Sequence, residues 1–401
     1  MPWLTLARST RDVLCHRPAA LCNEKALLTP MKVLLLAWDF PPKRGGIQTW
    51  LLELARRLPD AQVRVLAPRV PGDRAFDAAS GCWVARLGMA RFGRIPWMLQ
   101  LAVGTVRQCV TWRPDVIVCG HVMTAPAALL ARRLLAVPYV VFTYGQEIRR
   151  THWKQLLSFL LPNARLVVAC SRFTRSAALE LAVPPERVRV LYPGVDVQRF
   201  SPAADGASET RARTLLTVAR LADLWKGHDT AIRALPLVKA KCPDVRYVIA
   251  GDGPLRDYLE RVARSVGVEQ DVAFLGEVRD EALPDLYRSS DVFVLLSRES
   301  ALDGSAEGFG IVCLEAGACA KPVVAGRSGG IVDAVQDGVT GILVDPEDVG
   351  AVADAIASLL RAPSLAKRLG DAGRAMVLAR FTWDHVIAEA RSLFSEVVGR
   401  R

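Results

Sequence analysis

The chain holds nine cysteines but no C-x-x-C pair, and its five histidines are scattered without metal-ligand spacing. A structural zinc site or a dithiol redox centre is therefore not expected. Cys170, Cys313 and Cys319 stand in apolar contexts, as buried free thiols do in a reducing, cytoplasmic compartment. No apolar run is long enough to cross a bilayer. There is no basic stripe interleaved with aromatics and no nucleic-acid motif, so a nucleic-acid partner is excluded. Low-complexity tracts and short-period repeats are also missing.

Hydrophobic residues make up 51% of the 401 positions and charged residues 23%, a globular balance. That length exceeds what one core supports, so two domains are expected. The formal charge of +11 calls for an anionic partner, either a membrane surface or a phosphorylated ligand. Residues 1–30 mix Arg, Cys and Pro without the apolar core and small-residue cleavage site of a secretory signal. They are expected to form a poorly ordered extension; translation starting at Met31 and a weak targeting function are the alternatives.

From Met31 the pattern becomes strand, loop, helix. Lys32–Ala37 is a buried strand, residues 38–46 form a loop ending in Gly45-Gly46, and Ile47–Leu58 is an amphipathic helix. The loop is not G-x-G-x-x-G, yet its glycine pair exposes backbone N–H groups at a helix start beside Lys43 and Arg44. These residues alone do not separate an anion-binding turn from an ordinary βα turn. Further strands fall at residues 62–67, 83–87, 115–119, 138–143 and 165–170, with a helix over 94–111 in which Ile95, Trp97, Met98, Leu99, Leu101 and Val103 share one environment. Alternation of this kind predicts a doubly wound parallel sheet. Ligands bind at the carboxyl ends of such strands, which makes Tyr144, Gln146 and Glu147 candidates, with His121 as another.

Residues 203–213 read as the best linker. A second strand–helix series begins at Thr214. Its first βα loop carries Arg220 and Lys226, two cations suited to a pyrophosphate or simply solvated. Strands follow at 245–250, 272–275, 291–296 and 341–344. Between the last two lies the densest constellation. Glu307 and Glu315 stand eight positions apart around Gly308-Phe309-Gly310, then come an apolar run, a Val-rich strand and a Ser-Gly-Gly turn. A helix over Phe309–Cys319 would set Glu307 just before its N-terminus and Glu315 about one and a half turns inside. The segment would then offer two carboxylates for hydroxyl groups and a positive helix end for phosphate.

In this order and spacing the pieces resemble one family. They are F-P-P-K-R-G-G-I-Q at Phe40–Gln48, T-Y-G-Q-E at Thr143–Glu147, Y-P-G-V-D at Tyr192–Asp196, V-A-R-L with Lys226-Gly227, A-G-D-G-P at Ala250–Pro254, E-G-F-G-I-V-C-L-E-A at Glu307–Ala316, the S-G-G-I-V-D segment from Ser328, and F-T-W-D near the end. The chain from Met31 onward resembles the retaining glycosyltransferases of family 4, with the GT-B fold: two Rossmann-like domains facing across a cleft. The resemblance implies an N-terminal acceptor domain over 31–204, a nucleotide-sugar domain over 205–381, and a final helix, about 382–401, packing back on the first. It implies transfer of a hexose from a UDP- or GDP-sugar to a hydroxyl acceptor, lipid-linked or saccharide, in glycolipid or polysaccharide synthesis. No metal or other cofactor is required, in keeping with the lack of an apolar-flanked D-x-D. Peripheral contact with the inner face of a membrane is a further expectation.

Site roles follow from the same resemblance. Gly45 and Gly46 lie near donor phosphate and acceptor. Arg220 and Lys226 neutralise the leaving diphosphate. Glu307 contacts the donor sugar; the backbone of Gly308, Phe309, Gly310 and Ile311 serves the phosphate; Glu315 holds the ribose. Gly251, Glu277 and Val278 border the nucleotide. Many relatives carry His where this chain has Tyr144 or Gln146, so those two positions bear on catalysis and acceptor choice. A nucleotide-sugar epimerase or a non-catalytic sugar-nucleotide-binding protein on the same fold are the competing readings.

Overall fold

A computed structural model of the chain describes residues 30–88, 94–149, 153–203, 213–300 and 304–399. The leading extension before Pro30, residues 204–212 of the linker expected over 203–213, and Arg91 lie outside the described residues. Met31–Arg401 forms one compact unit.

Its strands are short apolar runs buried on both faces, the signature of parallel sheets covered by helices. The first sheet comprises β1 (Met31–Leu36), β2 (Ala61–Pro68), β3 (Trp83–Leu87), β4 (Val116–Cys119), β5 (Tyr139–Thr143), β6 (Leu166–Ala169) and β7 (Val188–Val190), in the order β3-β2-β1-β4-β5-β6-β7. The second comprises β8 (Arg213–Val218), β9 (Val245–Ala250), β10 (Val272–Gly276), β11 (Val292–Leu295), β12 (Val323–Gly326) and β13 (Gly341–Val344), in the order β10-β9-β8-β11-β12-β13. All pairings between these strands are parallel. Each sheet reverses its winding once, at β1/β4 and at β8/β11. At such a switch point the loops leave in opposite directions and open a crevice beyond the carboxyl ends.

One face of the first sheet is covered by the helices Arg94–Thr111, Ala125–Leu135, Lys154–Leu160 and Arg172–Glu180. The other is covered by Gly46–Arg57 and by the C-terminal helix Trp383–Gly399, whose Trp383, Ile387, Phe394 and Val397 share a core with Val33, Leu35 and Phe142. The chain crosses between the sheets twice, side by side. Val195 N–H donates to the Phe381 carbonyl at 2.7 Å, and Val195 bridges Thr382. A further core joins both halves, with Cys170, Val195 and Phe200 packed among Leu216, Phe293, Phe309 and Phe381.

Two expectations need correction. The helix after Glu307 spans only Ile311–Ala318, because Gly310 adopts a left-handed conformation (φ 85°) and caps it. In the Arg94–Thr111 helix the apolar residues do not share one environment. Trp97 and Leu101 are buried, whereas Leu99 and Val103 face solvent, since residues four apart lie on one face and residues two apart do not. The edge strand β7 is an addition that three residues could not announce.

The C-terminal helix is held by its aromatic seam. Phe394 is fully buried with its ring 6.4 Å from Phe142. Phe394→Ala is expected to cost about 3–5 kcal/mol, read as a lower urea midpoint at unchanged slope. A shift under about 1 kcal/mol would contradict this docking.

Candidate active site

The Glu307–Gly308 segment is pinched between two backbone turns. On one side lies Ser328-Gly329-Gly330: Gly330 N–H donates to the Glu307 carbonyl at 2.8 Å. A Cβ at Gly330 would stand 1.9 Å from the Gly308 oxygen, and one at Gly329 2.4 Å from the Glu307 oxygen. On the other side lies the end of β5. A Cβ at Gly308 would stand 1.9 Å from the Tyr144 oxygen, and the Cys170 thiol donates toward the Gly308 carbonyl at 3.4 Å. Both contacts are backbone on backbone, which only glycine permits. The two carboxyl-end crevices therefore meet at Glu307.

Lys226 ends the short turn Leu224–Lys226, and its ammonium donates to the Glu307 carboxylate while lying 4.5 Å above the Trp225 ring. The turn is fixed by Gly227 (φ 76°), where a Cβ would stand 2.0 Å from the Leu296 oxygen. Both partners of the ion pair are largely covered, so their attraction is poorly screened.

Glu315 is the fifth residue of the Ile311–Ala318 helix. It accepts the Tyr287 hydroxyl at 2.6 Å. Burial pushes its carboxyl up to about 7, against the pull of the Tyr287 bond and of Arg199. The helix start at Gly310 has no side-chain cap, so its first N–H groups are available to an anion.

The remaining candidates line the same crevices in different ways. Arg220 is exposed just beyond β8. Gly251 and Gly253 hug that loop, since Cβ atoms there would stand 2.0 Å from the Ala219 oxygen and 2.4 Å from the Leu221 oxygen. Glu277 is exposed and Val278 half-buried just past β10. Gly45 precedes the first helix and Gly46 begins it; a Cβ at Gly46 would lie 3.8 Å from Ile311 Cγ2, placing that loop against the second sheet's helix start. Phe309 contributes only backbone, because its ring packs 5.4 Å from Tyr192 and 6.0 Å from Phe381 in the shared core.

Tyr144 is committed locally. Its hydroxyl donates to the Gly120 carbonyl at 3.0 Å, and its N–H donates to Glu147 Oε1 at 2.6 Å. Burial raises its phenol well above the ordinary value. Glu147 is thus a turn cap, and Gln146 opens the short helix Gln146–Arg149. The His121 ring stacks on Trp38 at 6.1 Å between centroids. Its Nδ1 accepts the Met123 N–H at 3.2 Å, and burial lowers its pKa, so it is neutral with the proton on Nε2.

Three groups escaped the sequence reading. Tyr287 holds Glu315. Arg199 faces it. Arg172 binds Asp333 through its N–H at 2.6 Å and its guanidinium at 2.5 Å, tying the first sheet's Arg172–Glu180 helix to the short helix Ile331–Ala334 that follows the Ser-Gly-Gly turn. These partners are 28 and 161 positions apart, beyond any local signal.

The glycosyl transferases group 1 model matches residues 202–376, and the glycosyltransferase family 4 model matches residues 44–199. The chain is 36% identical over 389 residues to a GDP-mannose-dependent alpha-(1-6)-phosphatidylinositol monomannoside mannosyltransferase of Mycolicibacterium smegmatis, covering 92% of this chain and 99% of the relative. The chain belongs to glycosyltransferase family 4. A Corynebacterium glutamicum enzyme acting on the monoacylated form of that lipid is 29% identical, over 88% of this chain and 95% of its own. The fold matches a solved glycosyltransferase of Rickettsia africae at a TM-score of 0.78 and 20% identity, over 92% of this chain and 99% of that one. This family 4 glycosyltransferase has the GT-B fold, and it moves a hexose from a nucleotide sugar to a hydroxyl acceptor.

The pinch generates a sharp contrast. Gly308→Ala is expected to destabilise the enzyme by about 3 kcal/mol, because its Cβ would stand 1.9 Å from the Tyr144 carbonyl oxygen and backbone must retreat. Gly46→Ala meets nothing nearer than 3.8 Å and should change stability by less than about 1 kcal/mol. Equal urea midpoints for the two variants would contradict the packing.

Proposed function

We propose that this glycosyltransferase is a retaining mannosyltransferase that uses GDP-mannose and modifies a mannosylated phosphoinositol lipid, working at the inner face of a membrane. The Lys226–Glu307 ion pair beside the uncapped helix at Gly310 carries the reading, and the names of the relatives support the donor and acceptor. Lys226 and Arg220 supply cations and the helix start supplies N–H groups, all where a diphosphate leaves. With that charge provided by the chain, the reaction needs no metal. An arriving diphosphate competes for the Lys226 ammonium and frees the Glu307 carboxylate to accept hydrogen bonds from mannose hydroxyls. Glu315 accepts those of the ribose, while the loop past β10, with Glu277 and Val278, borders the base. Gly45 and Gly46 bring the acceptor side against the donor phosphate.

Among the described residues, neither candidate on the acceptor side suits a general base. The Tyr144 phenol is held neutral and donates to a carbonyl, and His121 has its acceptor nitrogen occupied. The acceptor proton therefore passes to the leaving phosphate oxygen as the acceptor hydroxyl attacks from the same face. The new C–O bond forms as the C1–phosphate bond breaks, and configuration is retained.

Mannose transfer from GDP-mannose to a mycobacterial phosphatidylinositol mannoside fraction tests the reading, with the product anomer assigned by NMR. An α-linked product is expected. Glu307→Gln should lower kcat about 100-fold at unchanged stability. A β-linked product, or full activity in the variant, would overturn it.

The raised carboxyl of Glu315 adds a pH dependence. Its folded value of about 7 lies above the ordinary 4.5, so the free enzyme holds a proton there below about 7. A carboxylate accepts ribose hydroxyls better than a carboxylic acid does. GDP-mannose affinity should therefore rise about tenfold between roughly pH 6 and pH 8, with release of a proton on binding near the lower value. Calorimetry on Glu315→Gln should show a flat profile; a persisting rise would assign the titration elsewhere.

A further inference from the structure

Among the described residues, half of the exposed large apolar side chains sit on three neighbouring helices that cover one face of the first sheet: Arg94–Thr111, Ala125–Leu135 and Lys154–Leu160. On the first, Leu99, Val103, Arg107 and Val110 recur on one outward stripe. On the second, Leu130, Arg133 and Leu134 do the same; on the third, Leu156 and Phe159 share one outward side. Val103 is 70% exposed and Leu134 61%, although water should be the worst environment for them. The three helices have 18, 11 and 7 residues and contain no Asp or Glu. The first two stripes each present an exposed cation, Arg107 and Arg133, and Lys154 is exposed at the start of the third helix. An apolar face of this extent marks an interaction surface.

We propose that this three-helix face seats the enzyme on an anionic phospholipid bilayer, an inference that builds on the lipid acceptor assigned above. Charge decides the occupant. Three helices without carboxylates, with Arg107, Arg133 and Lys154 exposed on a chain of net charge +11, complement acidic headgroups, while their leucines and Phe159 reach the acyl boundary. No single described helix is long and apolar enough to cross a membrane, so seating on the surface is the mode this face serves. The Arg94–Thr111 and Ala125–Leu135 helices follow β3 and β4, so both start at the sheet's carboxyl edge, where the crevice opens. A bilayer under this face would put a lipid-linked hydroxyl within reach of that edge.

Flotation with phosphatidylcholine vesicles, with and without phosphatidylglycerol, tests the face. The wild type should float with the anionic vesicles, and added salt should weaken it. Leu134→Glu with Phe159→Glu should lower the partition coefficient at least about tenfold. Val103→Glu, on the first helix, should lower it independently. Leu378→Glu, an equally charged change on an exposed residue of the second half, should leave it near wild type. Wild-type flotation by the face variants would overturn the proposal. So would a wild-type dimer that Leu134→Glu splits, which would give the face to a second copy. GDP-mannose transfer to a detergent-dispersed acceptor, run on every variant, separates the two claims. If transfer fails throughout while flotation behaves as expected, the functional reading falls and the bilayer face stands.

Discussion

The site depends on a contact that has no side chain in it. Gly308 lies against the Tyr144 carbonyl on one side, and Gly330 lies against the Gly308 carbonyl on the other. Two sheets with separate cores are thereby brought to backbone contact at the residue after Glu307. Any larger side chain would hold them apart by more than an ångström, and the two crevices would no longer share a boundary. The Arg172–Asp333 pair and the shared core around Phe309 and Phe381 reinforce the same seam.

The chemistry then divides between two carboxylates of unlike character. Glu307 is paired with Lys226, and in the proposed mechanism an arriving diphosphate claims that lysine, which couples the carboxylate's availability to donor arrival. Glu315 is hydrogen-bonded to a neutral phenol and raised by burial, so its charge is released by pH or by a ligand that donates to it. Neither is arranged as an acid/base pair. In the proposed mechanism they grip opposite ends of one donor, and the leaving group itself handles the proton.

Much of the fold was legible because parallel strands are buried on both faces and read as apolar runs. Val245–Ala250 and Gly341–Val344 stand out in the sequence for that reason. The edge strand β7 did not, having three residues with one side open. The Arg94–Thr111 helix was legible but misread. Trp97 and Leu101 are four apart and point inward; Leu99 and Val103 are four apart and point outward. The period was there, and treating the apolar residues as one set hid the exposed stripe. At the site, the glycines and both glutamates were visible through local spacing. Tyr287, Arg199, Arg172 and Asp333 were not, because long-range partners leave no spacing to read.

The most direct measurement is a crystal structure of the enzyme with GDP-mannose bound. The account predicts the diphosphate at the N–H groups of Gly310 and Ile311, Lys226 moved from Glu307 onto a phosphate oxygen, mannose hydroxyls on Glu307, and ribose hydroxyls on Glu315. A nucleotide bound elsewhere, or bound there with the Lys226–Glu307 pair intact, would contradict it.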